Sequence, residues 1–468
     1  MPPPDEESRW DRARFILPLA LGAMLNPLNS TMLATAMTKI CLSFGRKPGE
    51  GGVLIMSLYI TATIGQPLMG RLADIYSPRK VNFLGLMLVI LAALTGAFAP
   101  AFGWLIVSRV LLGLGTSAAY PSAIAIIQRK YAAWGQTVPG ESLGIIAVSG
   151  LVSGVLGPVL GGFLTDWFGW QGIFLVNIPW VIVTMALLRT TPVIEPVKAP
   201  SSPTPLFTRI DTIGVLFSGL FLMGLVLTLN GYRFLADTSL NRVVALLVLP
   251  ALLSLLIAWE RKKEDPFINV RLFFQKPFMS LVYLQTLATN YITYLMLYAI
   301  PPWIEGVRNI TASRTGLLLL PMTFFSAASA YIASRRKNLT RLSILAAASS
   351  VGACVGAFFL NAQTPMFGVI GITLLVGLLM GIAPVTNQVL LSVEAPPNMT
   401  GVSFGLSRTF GYIGAILSGA QIRTAFREGV GDENLHQLVW LATGACVLLC
   451  ILYALPFVRR NRLRSSVA

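Results

Sequence analysis

Two arginines lie inside long apolar stretches of the sequence. Arg109 occurs in SRVLLGLG and Arg408 in SRTFG. A guanidinium inside a membrane-spanning segment is costly unless it faces a polar cavity, a partner or a ligand. Its planar set of N–H donors suits carboxylate and phosphate groups. The two arginines therefore favour an anionic or zwitterionic ligand. The alternative for Arg109 is a side chain that reaches the membrane surface from near the end of its span.

A second pattern is a set of glycines that recur at helical spacing around a proline. Glycines on one helix face let another backbone approach closely, and a proline removes one helix hydrogen bond and permits a bend. We expect Gly157→Leu to abolish activity by forcing this helix away from its neighbour, and we expect Gly162, which lies off that face, to tolerate Ala better. The motif consists of Gly150, Gly154, Gly157, Pro158, Gly161 and Gly162.

The loop after the second apolar stretch reads GRLADIYSPRK. An aspartate at the end of a helix can bind an arginine or a helix N-terminus across an interface. We predict that Gly70, Asp74, Arg79 and Lys80 form a conformational latch between two parts of the protein. The alternative is an ordinary basic loop that only sets membrane topology.

Residues suited to catalysis are sparse. The chain has one histidine, His436, and 19 carboxylates, none of which falls clearly in the middle of an apolar stretch. An enzyme site needs several such groups together, so a membrane-embedded enzyme is disfavoured. ATP-driven transport is disfavoured because no phosphate-binding GxxxxGK[ST] loop is present. A channel would leave the glycine motif unexplained. The four cysteines are interpreted as packed thiols, and we predict no metal and no cofactor.

The elements that must position these residues are membrane helices. Of the 468 residues, 55% are hydrophobic and only 12% are charged, against about 25% charged in soluble domains. Apolar stretches long enough to cross a bilayer recur throughout, and in lipid such stretches must be helical. The net charge of +16 comes from basic residues in short loops, which indicates topology rather than nucleic-acid binding. The sequence therefore predicts an all-α polytopic membrane protein.

Fourteen spans are predicted in groups of six, two and six, each with ends uncertain by a few residues. Residues 1–190 form an N-terminal six-helix bundle, 191–275 hold cytoplasmic linkers and two additional helices, and 276–468 form a C-terminal six-helix bundle. The spans cover residues 14–38, 51–72, 81–100, 102–127, 142–165, 170–188, 211–230, 242–259, 278–303, 313–334, 341–361, 364–391, 400–424 and 436–457.

The distribution of basic residues predicts the orientation. With a cytoplasmic N-terminus, 24 of the 35 Lys and Arg residues fall inside, nine fall outside, and two lie within spans. Basic residues concentrate in cytoplasmic loops. Both termini are therefore expected in the cytoplasm, with an even number of spans.

Several motifs resemble those of the major facilitator superfamily. In the loop, Gly70, Leu72, Asp74, Arg79 and Lys80 match the superfamily signature, while Ile75 and Ser77 depart from it. The GPxxGG run of the fifth span resembles the antiporter motif of its exporters. The stretch from WFGW to FLVNIP resembles the fourteen-helix drug/proton antiporter branch, although Gln171 and Gly172 depart from it. The resemblance implies two six-helix bundles plus two additional central helices, and it links Arg109 to proton coupling.

One departure concerns energy coupling and the substrate cavity. Asn29 stands where this branch often has an aspartate, so a strong attraction for lipophilic cations is not built into the cavity. A proton would then be carried by Asp74 or by the substrate. Polar residues within spans are candidates to line the cavity or to join helices by hydrogen bonds. They are Asn26, Asn29, Thr31, Gln66, Gln285, Asn290, Tyr291, Tyr294, Asn387 and Gln388.

Together these features predict a secondary active transporter of the inner membrane that exports small amphiphilic molecules by alternating access, with the proton gradient as its energy source. The alternative is a transporter of an anionic or zwitterionic metabolite with no drug-efflux role. The expected partners are the substrate and the lipid bilayer, and nucleic acid is not among them. The protein is otherwise expected to be monomeric, and the need for a periplasmic adaptor is left open.

Overall fold

A computed structural model describes residues 9–135, 140–191, 211–230, 243–263, 277–336, 338–394 and 400–465. All regular structure in these ranges is helical, and no strand occurs in them. Helices satisfy their own backbone groups, as apolar segments in lipid require. The prediction of an all-α polytopic membrane protein is confirmed.

The first half of the chain begins with four long helices. Ser77 caps the third helix, since its side chain accepts a hydrogen bond from the Lys80 backbone N–H at 3.3 Å, and Pro78 suits the first helical position. The loop that carries the predicted latch therefore ends in a defined helix start. The helices of this half are α1 (Arg9–Ser43), α2 (Gly52–Ile75), α3 (Pro78–Ala97), α4 (Phe102–Ala133), α5 (Gly140–Trp167), the single turn α6 (Gly172–Leu175) and α7 (Asn177–Thr190).

Two apolar helices follow, and the second half comes after them. The predicted linker at 192–210 and most of the basic stretch at 264–276 lie outside the described residues, so the boundaries of the three regions stay predictions. A π-helical turn (Val244–Val248) precedes the second of the two extra helices. The helices are α8 (Thr212–Asn230), α9 (Leu249–Lys262), α10 (Pro277–Arg308), α11 (Ala312–Ser334), α12 (Leu339–Phe358), α13 (Met366–Glu394), α14 (Thr400–Ala425) and α15 (Asp432–Ser465).

Nine helices in the described ranges are long and apolar enough to cross a membrane, and a shorter apolar helix covers Thr212–Leu225. The total of fourteen spans therefore remains a prediction. Many large apolar side chains lie on the outside of the bundle, such as Leu84, Leu91 and Phe324. Apolar outer faces are expected where lipid rather than water surrounds the helices.

The two halves pack against each other through paired helices. Helix α5 packs on α11, α2 packs on α14, and α1 packs on both α10 and α11. One hydrophobic cluster extends through both halves and includes Met32, Tyr59 and Leu295. The core is therefore shared between the halves.

The closest backbone approaches between the halves lie at one end of the bundle. A Cβ atom built on Gly52 would lie closer than 3.0 Å to the Gly419 carbonyl oxygen, and one on Gly162 would lie equally close to the Ala312 carbonyl oxygen. A Cβ on Gly316 would lie 2.5 Å from the Pro158 carbonyl oxygen. These contacts fall at the end predicted to face outward. We call this region, where α2 meets α14 and α5 meets α11, the closed end.

Candidate functional site

Arg109 is almost completely buried in α4. Its side chain is 1% exposed, and its Nε and Nη1 atoms have no hydrogen-bond partner among the described residues. The guanidinium carbon lies 5.0 Å from the centre of the Phe174 ring, in the range of a cation–π interaction. A buried charge without hydrogen bonds is costly. An anionic group that accepted hydrogen bonds from these nitrogens would therefore stabilise the buried guanidinium.

A cluster of tyrosines lies at the interface between the halves, near Arg109. The ring of Tyr59 on α2 lies 5.0 Å from that of Tyr294 on α10 and 5.5 Å from that of Tyr412 on α14. The Tyr298 hydroxyl donates to the Ser30 carbonyl oxygen of α1 at 2.9 Å. Tyr59 and Tyr298 both interact electrostatically with Arg109. The arginine and the tyrosines therefore form one polar group within an apolar interface.

Two further contacts join the halves beside this cluster. Gln66 of α2 donates from Nε2 to the Tyr412 hydroxyl oxygen at 2.6 Å. The Arg408 guanidinium carbon lies 3.8 Å from the centre of the Tyr120 ring of α4. Arg408 is exposed, in contrast to Arg109. The two arginines predicted together as buried charges thus occupy different environments, and only Arg109 is buried.

Apart from Gln66, the N-terminal cavity candidates bond within their own half. Asn29 and Asn177 exchange two amide hydrogen bonds, of 2.6 and 2.9 Å, and both side chains are buried. Asn26 donates to the Thr116 hydroxyl oxygen at 3.0 Å. Thr31 is buried and donates to a backbone carbonyl of its own helix. Asn29 therefore joins α1 to α7, which corresponds to the interhelical interpretation of these residues.

The C-terminal candidates divide between helix contacts and exposed positions. Gln285 is buried and donates to the Leu452 carbonyl oxygen at 2.8 Å. Asn387 donates to Thr289 and accepts from Tyr453. Asn290 donates to the Thr286 carbonyl oxygen, the Tyr291 hydroxyl donates to Gln421, and the side chain of Gln388 is exposed. Tyr294 is a member of the tyrosine cluster described above.

The glycine motif packs on two sides rather than one. A Cβ on Gly157 would meet Thr31 of α1, and one on Gly161 would lie 2.6 Å from the Met32 carbonyl oxygen of the same helix. Among the described residues, nothing lies within 4 Å of a Cβ at Gly154, and only Pro27, at 4.0 Å, approaches one at Gly150. The close approach is therefore confined to the end of the motif nearest the closed end.

The structure argues against the expectation that Gly162 would tolerate Ala better than Gly157, because Gly162 is also closely packed. Gly162 points away from α1 and toward the other half, where a Cβ would lie closer than 3.0 Å to the Ala312 carbonyl oxygen and 3.0 Å from the Ser313 Cα. Those atoms are backbone, so they cannot move aside as a flexible side chain can. Successive residues on a helix point about 100° apart. A residue that lies off one packed face of a helix can therefore lie on a second packed face of the same helix.

The predicted latch is described only in part, because the side chain of Asp74 lies outside the described residues. Arg79 donates from Nη2 to the Thr191 carbonyl oxygen, which ties α3 to the end of α7. Lys80 is exposed, and a Cβ on Gly70 would make an ordinary contact with Pro121 at 3.6 Å. These contacts all stay within the N-terminal half.

Sequence reasoning missed several residues that the fold brings together. Asn177, Tyr59, Tyr298 and Tyr412 were not among the candidates, although each is a polar residue within an apolar stretch. Glu305 was also missed, because it follows the predicted end of a span and therefore resembled a surface residue. Its Oε1 atom is buried and has no hydrogen-bond partner among the described residues.

Comparison with known proteins agrees with the fold and motifs. The family model of the Major Facilitator Superfamily matches residues 19–419. The chain is 29% identical over 462 residues to the uncharacterized MFS-type transporter YwoD of Bacillus subtilis, covering 96% of this chain and 98% of that protein. It is 26% identical over 354 residues to multidrug resistance protein 3 of the same organism, covering 75% of this chain and 66% of that protein.

Solved transporter structures share the fold at low sequence identity. A bacterial homolog of the human lysosomal transporter Spinster, in an inward-facing and unoccupied conformation, aligns with a TM-score of 0.67 and 14% identity over 96% of this chain and 98% of that chain. The human organic anion transporter MFSD10 aligns with a TM-score of 0.59 and 15% identity over 94% and 99% of the respective chains. With the fold and the family match in agreement, the chain belongs to the Major Facilitator Superfamily.

Proposed function

We propose that this chain is a secondary active transporter that exports small amphiphilic molecules by alternating access, driven by the proton gradient. The observation that carries the proposal is the position of α5. Its glycines bring it against α1 within one half and against α11 of the other half. Alternating access requires two halves that close at one end and part there later. A helix packed this tightly on both sides determines how closely the halves approach.

Two further observations support efflux in particular. The GPxxGG run of α5 resembles the antiporter motif of exporters, and one relative is named a multidrug resistance protein. We place the protein in the fourteen-helix drug/proton antiporter branch. The excess of basic residues in alternate loops supports a location in the inner membrane and an orientation with both termini in the cytoplasm.

A second candidate function is transport of an anionic or zwitterionic metabolite without a drug-efflux role. Arg109 favours it, because the guanidinium nitrogens Nε and Nη1 are buried without hydrogen-bond partners among the described residues. Planar guanidinium donors match carboxylates and phosphates. In this alternative the tyrosine cluster would contact the rest of the substrate when the halves separate.

Everted membrane vesicles distinguish the two functions. A fluorescent lipophilic cation and a lipophilic anion of matched size are offered while a proton gradient is imposed and then collapsed with a protonophore. We expect accumulation that ends when the gradient collapses, and the better substrate identifies the charge preference. Vesicles carrying Gly157→Leu at equal expression are the control. Accumulation that equals this control, or that requires ATP, would contradict the proposal.

A further inference from the structure

Three charged side chains from both halves meet at the closed end. Lys39 of α1 binds Asp166 of α5, with 2.5 Å between Nζ and Oδ1. The other oxygen of Asp166 accepts the backbone N–H of Ser313 at 2.7 Å, in the first turn of α11. A carboxylate at a helix N-terminus is favoured by the helix dipole and by the free N–H groups. Asp166 therefore holds the two halves together with its charge fully compensated.

Glu305 belongs to the same group but lacks this compensation. It lies in the last turn of α10, next to Thr38 and Lys39 of α1, and its Oε1 atom is buried without a hydrogen-bond partner among the described residues. Two nearby charged groups influence its pKa: Lys39 lowers it and Asp166 raises it. Lys39 is thus shared by two carboxylates, and it is already paired with one of them.

Several other charged groups at this end contact different partners or are exposed. Arg308, on the same helix as Glu305, donates to the carbonyl oxygens of Asn361 and Thr364. Asp432 of α15 accepts from the Trp303 indole N–H at 2.8 Å. His436 of α15 bonds the Leu360 carbonyl oxygen, Arg314 of α11 is exposed, and Arg423 of α14 lies beside Gly52.

The two carboxyl groups therefore differ in their protonation when this end is closed. Partial burial would raise the pKa of Asp166, but hydrogen bonds from Lys39 and Ser313 lower it below its usual value. Burial raises the pKa of Glu305 to about 8, against the lowering effects of Thr38 and Lys39. Both residues lie just past the ends of the predicted spans 142–165 and 278–303. The closed end therefore favours the protonated form of Glu305 and the ionised form of Asp166.

We propose that Glu305 is a proton-binding site of the closed end, which takes up a proton from the outer solution before the halves close over it. An ionised Glu305 would be buried beside Asp166 with one shared ammonium group, and burial of an unpaired carboxylate is strongly unfavourable. When this end opens, water solvates the carboxylate and the proton is released to the same side. External acid thus favours closure.

The direction of the pH effect follows from the raised pKa. An acid whose pKa is higher in the closed state stabilises that state at low pH and ceases to do so as the pH rises through the higher value. Between the ordinary pKa of a solvated glutamate, about 4.3, and the closed-state pKa of about 8, the ratio of open to closed molecules should rise roughly tenfold per pH unit, since one proton is released on opening. Above about pH 8 both states are deprotonated, and the ratio should level off. This inference rests on the proposed opening of the two halves but not on proton-driven transport.

The test is a pulsed electron paramagnetic resonance measurement of the distance across the closed end. Spin labels replace Leu42 of α1 and Phe367 of α13, which are exposed at this end on opposite halves, in a background in which the native cysteines are replaced. We expect the long distance to gain population in wild type as the pH rises toward about 8, with no further change above that pH. Glu305→Gln, whose amide resembles the protonated acid, should stay closed at every pH. Glu433→Gln, which neutralises an exposed carboxylate at the same end, should follow wild type.

Lys39→Gln provides a second variant that does not alter the titrating group. Loss of the ammonium charge should extend the pH dependence to higher pH, because Lys39 lowers the pKa of Glu305. The inference is overturned if Glu305→Gln keeps the wild-type transition, or if the transition is absent in wild type while the halves still open with substrate. The proposed function fails separately, through absence of gradient-driven accumulation in vesicles.

Discussion

Gly162→Ala is expected to open the closed end without unfolding the protein. The new methyl group would lie closer than 3.0 Å to the Ala312 carbonyl oxygen, whereas ordinary contacts begin at 3.4 Å. Because the obstructing atoms are the backbone of α11, the clash is relieved only if the two halves move apart. Overpacking of this kind costs about 1–3 kcal/mol. That cost corresponds to a decrease of about 5- to 150-fold in the ratio of closed to open molecules.

The chain offers a matched control on the same helix. Gly154→Ala introduces the same methyl group and the same change in helix propensity, and nothing lies within 4 Å of it. The distance between spin labels at Leu42 and Phe367 reports the result for both variants. Gly162→Ala should populate the long distance at pH 6, where wild type is closed, and Gly154→Ala should match wild type. Equal distributions for the two variants would refute the argument that contact between α5 and α11 limits closure.

Three further predictions concern the polar groups of the interior. Arg109→Ala should abolish transport and Arg109→Lys, which lacks the planar fork, should restore it only in part, as measured by uptake of matched anions and cations into proteoliposomes. Asn29→Ala should lower stability by about 1–3 kcal/mol, because the buried Oδ1 atom of Asn177 loses its donor, although Nδ2 keeps its bonds to two backbone carbonyl oxygens. A thermal denaturation series in detergent measures this, and an unchanged midpoint would contradict it. Tyr412→Phe should change the turnover rate but not the amount of folded protein, since it removes only the hydrogen bond to Gln66 between the halves; equal turnover would show that this bond has no part in the conformational change.

The sequence predicts properties that depend on one helix at a time. A charge within a long apolar run predicts burial, which holds for Arg109 but not for Arg408. The glycine spacing along α5 predicts close packing, which holds at Gly157 and Gly161 but not at Gly154. Both inferences need only the helical period and the cost of a charge in lipid. The helical class of the protein follows for the same reason.

Properties that depend on which helices are neighbours could not be predicted in this way. The packed face at Gly162 exists because α11 of the other half lies against it, and Asn29 is buried because α7 brings Asn177 to it. Glu305 follows Trp303 at the end of a predicted span, where a carboxylate is usually solvated. Its burial arises from α1, which is more than 250 residues away in the chain.

The proposed coupling of export to protons is tested most directly by a substrate-evoked change of pH. Purified protein is reconstituted into liposomes that contain a pH-sensitive dye, and the substrate found in the vesicle assay is added on one side without an imposed gradient. An antiporter moves protons opposite to the substrate, so the lumen should change pH when substrate enters, and Gly157→Leu should show no change. Entry of substrate at the same rate with no movement of protons would contradict proton-driven export.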